Sequence, residues 1–312
     1  MMKKFFKNIA LLLLILMVVG EIVVRLTHAV SDIPQRTIDS HGIQKYFPNQ
    51  QGYWKGGGHS WTINRMGWPG ELPNSFENLI IVIGDSFIEN FMNPNECHQS
   101  VFLKQNMSDY NFMEAARSGV SLIEAMEISK QLDSLKPVRT LIYVNDTDFY
   151  ESIFEINPMS DITQLNLDKK TVQHGVMKAP FIKKVLYNWK LMYYFYNRFY
   201  TSFATNSGNN NENPEQNGDN DKYLKHKVEI DRLISFMLAK YDIDDKILVF
   251  HPNSSQDIIN KCKDSGFQVI VLDSDNDKSW TYEHDNHWTC YGHKKAAEQI
   301  ASGLSSKLLT PR

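Results

Sequence analysis

Leu79-Ile80-Ile81-Val82-Ile83-Gly84-Asp85-Ser86-Phe87 begins as an unbroken apolar run of strand length and stops abruptly at Gly84-Asp85-Ser86. A segment that is apolar on both faces has to be covered on both. This predicts a central strand of a parallel sheet flanked by helices. In an open α/β sheet, ligands collect beyond the carboxyl ends of the strands. Ser86 therefore stands where a reactive side chain would be placed.

Working outward, the same alternation recurs. Strands are expected at 79–83, 110–113, 140–144, 246–250 and 268–272, and helices at 95–107, 121–135 and 292–309. The 95–107 helix is expected to start near Pro94 or Asn95. For 121–135, Ser121 reads as the N-cap, with Glu124 three residues on to close a capping box. Strands alternating with helices predict a three-layer α/β/α sandwich around a central parallel sheet, in the flavodoxin-like manner. Residues 31–78 carry turn signals, Gly56-Gly57-Gly58 and Gly67-Trp68-Pro69-Gly70, and are expected to form short strands and loops, with a lid or flap near the site as the expectation rather than a separate domain. Gly56 to Gly58 is no phosphate loop, because no strand precedes it and no Gly-Lys-Ser/Thr follows.

An insertion is expected at 151–221. Its 181–200 stretch holds Tyr187, Trp189, Tyr193, Tyr194, Phe195, Tyr196, Phe199 and Tyr200, interleaved with Lys183, Lys184, Lys190 and Arg198. A helix packed on the body is the plain expectation for it; a membrane-surface element and the wall of a glycan groove are the alternatives. Residues 201–221 are too polar to bury a core and are expected to be a disordered loop.

Residues 1–30 form an N-terminal membrane anchor or a signal, ahead of a single domain at 31–312. Lys3, Lys4 and Lys7 precede an apolar run, which would keep the N-terminus inside and export the rest. Glu21 and Arg25, four apart on a helix, can neutralise each other. An uncleaved transmembrane helix is the main expectation; a signal cleaved after Ala29 is the rival. The chain of 312 residues has a net charge of -3, so no basic field marks it for nucleic acid. Cys97, Cys262 and Cys290 have no metal-type spacing, and one disulfide could form outside the cytosol without the sequence saying which.

A serine hydroxyl needs a base, a group that orients the base, and donors for the oxyanion. His287 is the candidate base and Asp285, two residues earlier, the candidate orienter. The oxyanion donors would be the backbone N–H groups of Ser86 and Gly119 and the side-chain amide of Asn145. Asp85 is expected to brace the turn, and Trp288 to form a wall of the pocket. His284, His287 and His293 lack a carboxylate or thiolate partner set for zinc, so no metal or other cofactor is implied.

These residues together resemble the SGNH (GDSL-type) hydrolase superfamily. Gly84-Asp85-Ser86-Phe87 matches its first block, Gly119 its second, Asn145-Asp146 its third, and Asp285 with His287 its last. Asn64-Arg65-Met66-Gly67-Trp68 is similar to a segment of membrane-anchored bacterial members. Asp285-Asn286-His287-Trp288 is similar to the Asp-x-His-Trp form of alginate-type O-acetyltransferases. Tyr143 stands where the third block usually has glycine, and His284 stands where the last block usually has aspartate. The resemblance implies an extracytoplasmic serine esterase or O-acetyltransferase acting on acyl esters of a surface or secreted glycan, and, for a transferase, a membrane partner that delivers the acyl group. A non-catalytic binding module on the same fold and a lipase or phospholipase are the alternatives.

Overall fold

A computed structural model describes residues 2–204 and 219–308. The chain opens with helix α1 (Met2–Leu26), whose only buried residue is Val24. Among the described residues it is the one helix long and apolar enough to cross a membrane. Two small antiparallel pairs follow: β1 (Arg36–Ile38) with β2 (Gln44–Tyr46), and β3 (Gln51–Trp54) with β4 (His59–Thr62).

The core starts at β5 (Leu79–Gly84), buried along its whole length. It continues through α2 (Ser86–Glu89), α3 (Gln99–Asn106), β6 (Asn111–Ala116), α4 (Leu122–Leu132), β7 (Arg139–Val144) and α5 (Asp146–Glu151). The insertion supplies an antiparallel pair, β8 (Gln164–Asn166) and β9 (Thr171–Gln173), and the helices α6 (Pro180–Asn188) and α7 (Lys190–Ala204). Then come α8 (Asp219–Lys240), β10 (Lys246–Phe250), α9 (Gln256–Asp264), β11 (Gln268–Val271), the short pair β12 (Thr281–Tyr282) and β13 (Asp285–Trp288), and α10 (Cys290–Leu308).

The central sheet has the order β11-β10-β7-β5-β6, and every pairing in it is parallel. Alternate side chains of β5 serve opposite layers. Leu79, Ile81 and Ile83 join the apolar side chains of α4, α8 and α9, while Ile80 and Val82 join those of α3 and α10. Burying each such side chain contributes about 1.5–3 kcal/mol, so the two-faced run commits this strand to the sheet centre. The chain passes from β5 to β6 on one side and returns to β7 on the other. That reversal leaves a crevice at the carboxyl ends of β5 and β7, where open α/β sheets bind ligands.

The strands match expectation to within a few residues, and the helices differ in instructive ways. Residues 95–97 make a single 3-10 turn and α3 starts later, with no side-chain cap from His98. Ser121 caps α4 through the Glu124 N–H at 3.3 Å. The Glu124 carboxylate does not return to close the box, because Arg117 takes it. The expected loop at 201–221 is shorter in the structure, since α7 runs to Ala204 and α8 begins at Asp219. The remainder of that expectation lies outside the described residues. The helix α8 was not foreseen; Ile230, Leu233, Ile234 and Met237 seat it on the sheet.

Cys97 and Cys290 form a disulfide across 193 residues of sequence, with Cα atoms 5.1 Å apart, and Cys262 is buried and free. It ties the segment before α3 to the start of α10.

Candidate active site

Ser86 is the first residue of α2, directly beyond β5. Asp85 caps this short helix, accepting the Phe87 N–H at 3.0 Å. Gly84 is required by packing: a Cβ there would lie 2.5 Å from the Ile88 side chain. The turn can therefore fold tightly enough to lift Ser86 onto the sheet rim.

His287 comes from β13, 201 residues away, and its Nε2 lies 2.7 Å from the Ser86 Oγ. Asp285 sits in the same short strand. Its Oδ1 accepts the His287 backbone N–H at 2.9 Å and meets the imidazole Nδ1. The one-residue displacement of the aspartate from the usual spacing is thus absorbed locally, by a side chain that turns onto its own backbone two residues ahead. Burial pushes the Asp285 carboxyl up, but the two His287 hydrogen bonds and the charge of the ring outweigh it, and the net shift is downward. An ionised carboxylate on Nδ1 favours the tautomer that leaves Nε2 free to take a proton from Ser86.

The Phe87 ring lies between two imidazoles, with centroids 4.8 Å from His287 and 4.4 Å from His251. Trp288 packs on both Phe87 and His251 and is itself 2% exposed. Burial and then the charge of His287 push His251 down to about 3, so it is neutral at physiological pH. His251 therefore adds no second cation near His287, and the Phe87 ring lies between the two imidazoles.

Gly119 follows β6 and Asn145 follows β7, on either side of β5 in the sheet. Gly119 has φ +79°, and a Cβ would meet nothing closer than 3.8 Å, so glycine is required here by backbone conformation and not by space. The turn leading to it is held from two sides. Arg117, 1% exposed, grips both carboxylate oxygens of Glu124 at 2.8 and 2.7 Å and donates to the Ser118 carbonyl at 2.6 Å. Glu89 accepts the Ser118 N–H at 2.7 Å and the Tyr46 hydroxyl. Asn145 caps α5: its Oδ1 accepts the Thr147 N–H at 2.7 Å, and its own N–H donates to Asp148 at 2.7 Å. With the oxygen so fixed, the Nδ2 amino group donates to no group among the described residues. The backbone N–H groups of Ser86 and Gly119 are likewise uncommitted there.

Two carboxyls lie beneath the site. Burial, partly offset by the Phe87 N–H and by His287, raises Asp85 to about 6. Burial and the neighbouring Asp85 charge push Asp148 well above the ordinary carboxyl range. Tyr143 points away from the rim into the α3–α10 layer and donates to Gln99 at 3.0 Å, so the absent glycine of the third block leaves the site itself unobstructed.

The structure thus brings Ser86, His287 and Asp285 into one hydrogen-bonded row and places Gly119 and Asn145 at the same rim of the sheet. Sequence reasoning missed the Arg117–Glu124 brace, the Phe87 packing and the Cys97–Cys290 pairing. Only the adjacency of Phe87 to Ser86 could have signalled any of them. Residues 31–78 form short strands and loops as expected, and the β3–β4 hairpin packs against the loop after α2, where His59 Nε2 lies 3.1 Å from the Phe91 carbonyl.

No family model matches the chain, and no curated protein does. Among solved structures it is similar to a protein described as lipolytic, of the G-D-S-L family, from Desulfitobacterium hafniense. That match has 14% identity and a TM-score of 0.37, covering 72% of this chain and 98% of that one. It is also similar to TesA, with 9% identity, coverage of 73% and 98%, and a TM-score of 0.40. A third is a GDSL-like lipase from Bacteroides thetaiotaomicron, with 8% identity, coverage of 77% and 93%, and a TM-score of 0.32. These likenesses are too distant to carry function, which rests on the side-chain geometry above.

Proposed function

We propose that this protein is a serine-dependent enzyme of acyl esters, held at a membrane by α1 with its catalytic domain outside the cytoplasm. The observation that carries the reading is the contact of the His287 Nε2 with the Ser86 Oγ at 2.7 Å, with Asp285 on the far nitrogen of the ring. Ser86 attacks the ester carbonyl while His287 takes the hydroxyl proton. The tetrahedral oxyanion is met by the N–H groups of Ser86 and Gly119 and by the Asn145 amide. Collapse breaks the ester C–O bond, and the proton on His287 passes to the leaving alcohol. In the second half, water or a sugar hydroxyl gives its proton to His287 and attacks the acyl-enzyme, which returns Ser86 and releases acid or a new ester.

The acyl group is acetyl and the alcohol a surface or secreted glycan. The resemblance of Asp285-Asn286-His287-Trp288 to the last block of polysaccharide O-acetyltransferases supports this. The Cys97–Cys290 disulfide supports export, because such bonds persist in oxidising compartments. A non-catalytic module would be favoured by the displaced aspartate and the aromatic 181–200 stretch; the hydrogen bonds of Asp285 to His287 support the enzymatic reading over it.

The test is labelling of the folded protein by a fluorophosphonate probe, together with turnover of p-nitrophenyl acetate against long-chain esters. Labelling at Ser86, lost in Ser86→Ala, and preference for the acetyl ester are expected. Absence of labelling sinks the enzymatic reading; preference for long chains replaces the glycan by a lipid.

A further inference from the structure

The insertion's helix pair is locked to the end of the apolar N-terminal helix. Glu21, the acid that interrupts α1, accepts the N–H groups of Lys190 at 3.1 Å and Leu191 at 2.7 Å, the first two residues of α7. Arg25 bonds Glu21 at 2.7 Å and donates to the Asn188 carbonyl at the end of α6 at 2.5 Å. A Cβ on Gly20 would lie 3.0 Å from Leu191, so the glycine lets the two helices close up. Lys190 is paired with Asp32 at 2.6 Å. The charged residues at this end of α1 are therefore committed to α6 and α7.

Beyond this junction the pair turns apolar side chains outward. Met192, Phe195 and Phe199 are all exposed and fall at i, i+3 and i+7 on α7. Such a stripe ordinarily faces a core. Phe181, Ile182 and Val185 of α6 are exposed in the same way, with Lys183 and Lys184 between them. This surface adjoins α1, whose own apolar residues are exposed along the helix.

We propose that α6 and α7 form an interfacial seat, lying in the headgroup layer of the bilayer that α1 crosses, with the Met192–Phe199 stripe against the acyl chains. Continuity selects the occupant. The apolar surface of α1 runs straight into the α6–α7 junction, and what surrounds the one surrounds the other. The composition agrees, since tyrosine and tryptophan collect at membrane interfaces and lysines meet phosphate headgroups. The inference rests on α1 remaining in the membrane. It also gives Glu21 a role that a discarded signal would not need.

The test uses the full chain in phosphatidylethanolamine/phosphatidylglycerol nanodiscs. Single spin labels are placed at Phe195→Cys, Met192→Cys, Gln105→Cys at an exposed position of α3, and Leu14→Cys within α1. Cys262 is buried and the other cysteines are bonded, so labelling is selective. At positions 195 and 192, collisions with oxygen should prevail. Collisions with an aqueous nickel chelate should fall about tenfold below those at 105, as for a face sunk at the interface. Nickel access equal to that at 105 overturns the proposal. Shielding from both reagents also overturns it, because a protein then covers the stripe. The label at 14 separates the two premises: oxygen-only access there with nickel access at 195 removes the seat and leaves the anchor. If Phe195→Cys does not fold, Met192→Cys carries the same reading.

Discussion

The Asp285 carboxylate holds His287 twice, at the backbone N–H at 2.9 Å and at the ring Nδ1, so one side chain sets both the path of β13 and the orientation of the imidazole. Asp285→Asn keeps the shape but presents an amide that can stabilise the wrong imidazole tautomer. A fall in kcat of about 10²–10⁴ is expected, with little change in KM. Steady-state kinetics on p-nitrophenyl acetate would measure it, and retention of wild-type kcat would exclude Asp285 as the orienter.

Arg117 and Glu124 are both fully buried and carry the turn that presents Gly119. Glu124→Gln strands the guanidinium without a counter-charge. A loss of about 3–5 kcal/mol in denaturant unfolding is expected. At a temperature where the variant is folded, kcat should fall more than KM rises if the Gly119 N–H serves the oxyanion as proposed. An unfolding midpoint unchanged from wild type would show that the brace contributes nothing.

The Cys97–Cys290 bond closes a long loop and lies three residues past His287. Replacing both cysteines by alanine should cost about 2–5 kcal/mol of stability. It should also lower kcat by loosening the approach of His287 to Ser86. Reductant on the native protein should mimic the double variant; equal melting temperature and turnover in oxidised and reduced protein would refute this.

Asp85 and Asp148 are raised from an ordinary carboxyl value of 3.8, Asp85 to about 6. Across that window the folded chain binds more protons than the unfolded chain, so the pair subtracts stability as pH rises through about 4 to 6 and goes on subtracting above it. Asp148→Asn removes the ionised form while keeping an acceptor for the Asn145 N–H. Its melting temperature should exceed wild type by about 2–4 °C at pH 8 and equal it near pH 4. A variant less stable than wild type at both pH values would contradict this sign.

Much of the sheet was legible because the period of the side chains is visible locally. Leu79 to Ile83 can only be a two-faced strand, and a serine on the turn beyond it can only stand at the rim. Asp285 and His287 were also legible, being neighbours in one short segment. Helix starts were less so. At His98 no side chain marks the boundary, and at Glu124 a carboxylate that fits a local cap is taken by Arg117 instead. Competition between a local and a distant partner is decided by packing, which no window of sequence contains.

From the residue order alone follow the parallel α/β core, the apolar N-terminal helix and the candidacy of Ser86, Asp285 and His287, since each was read from side chains within a few positions along the chain. Only the folded chain decides that β7 returns on the far side of β5 and opens the crevice. The same holds for the partnering of Cys97 with Cys290 and not with Cys262, and for the span of 201 residues between Ser86 and His287 that closes to a hydrogen bond. These are long-range contacts, chosen by which faces can be buried together, and burial is a property of the whole structure.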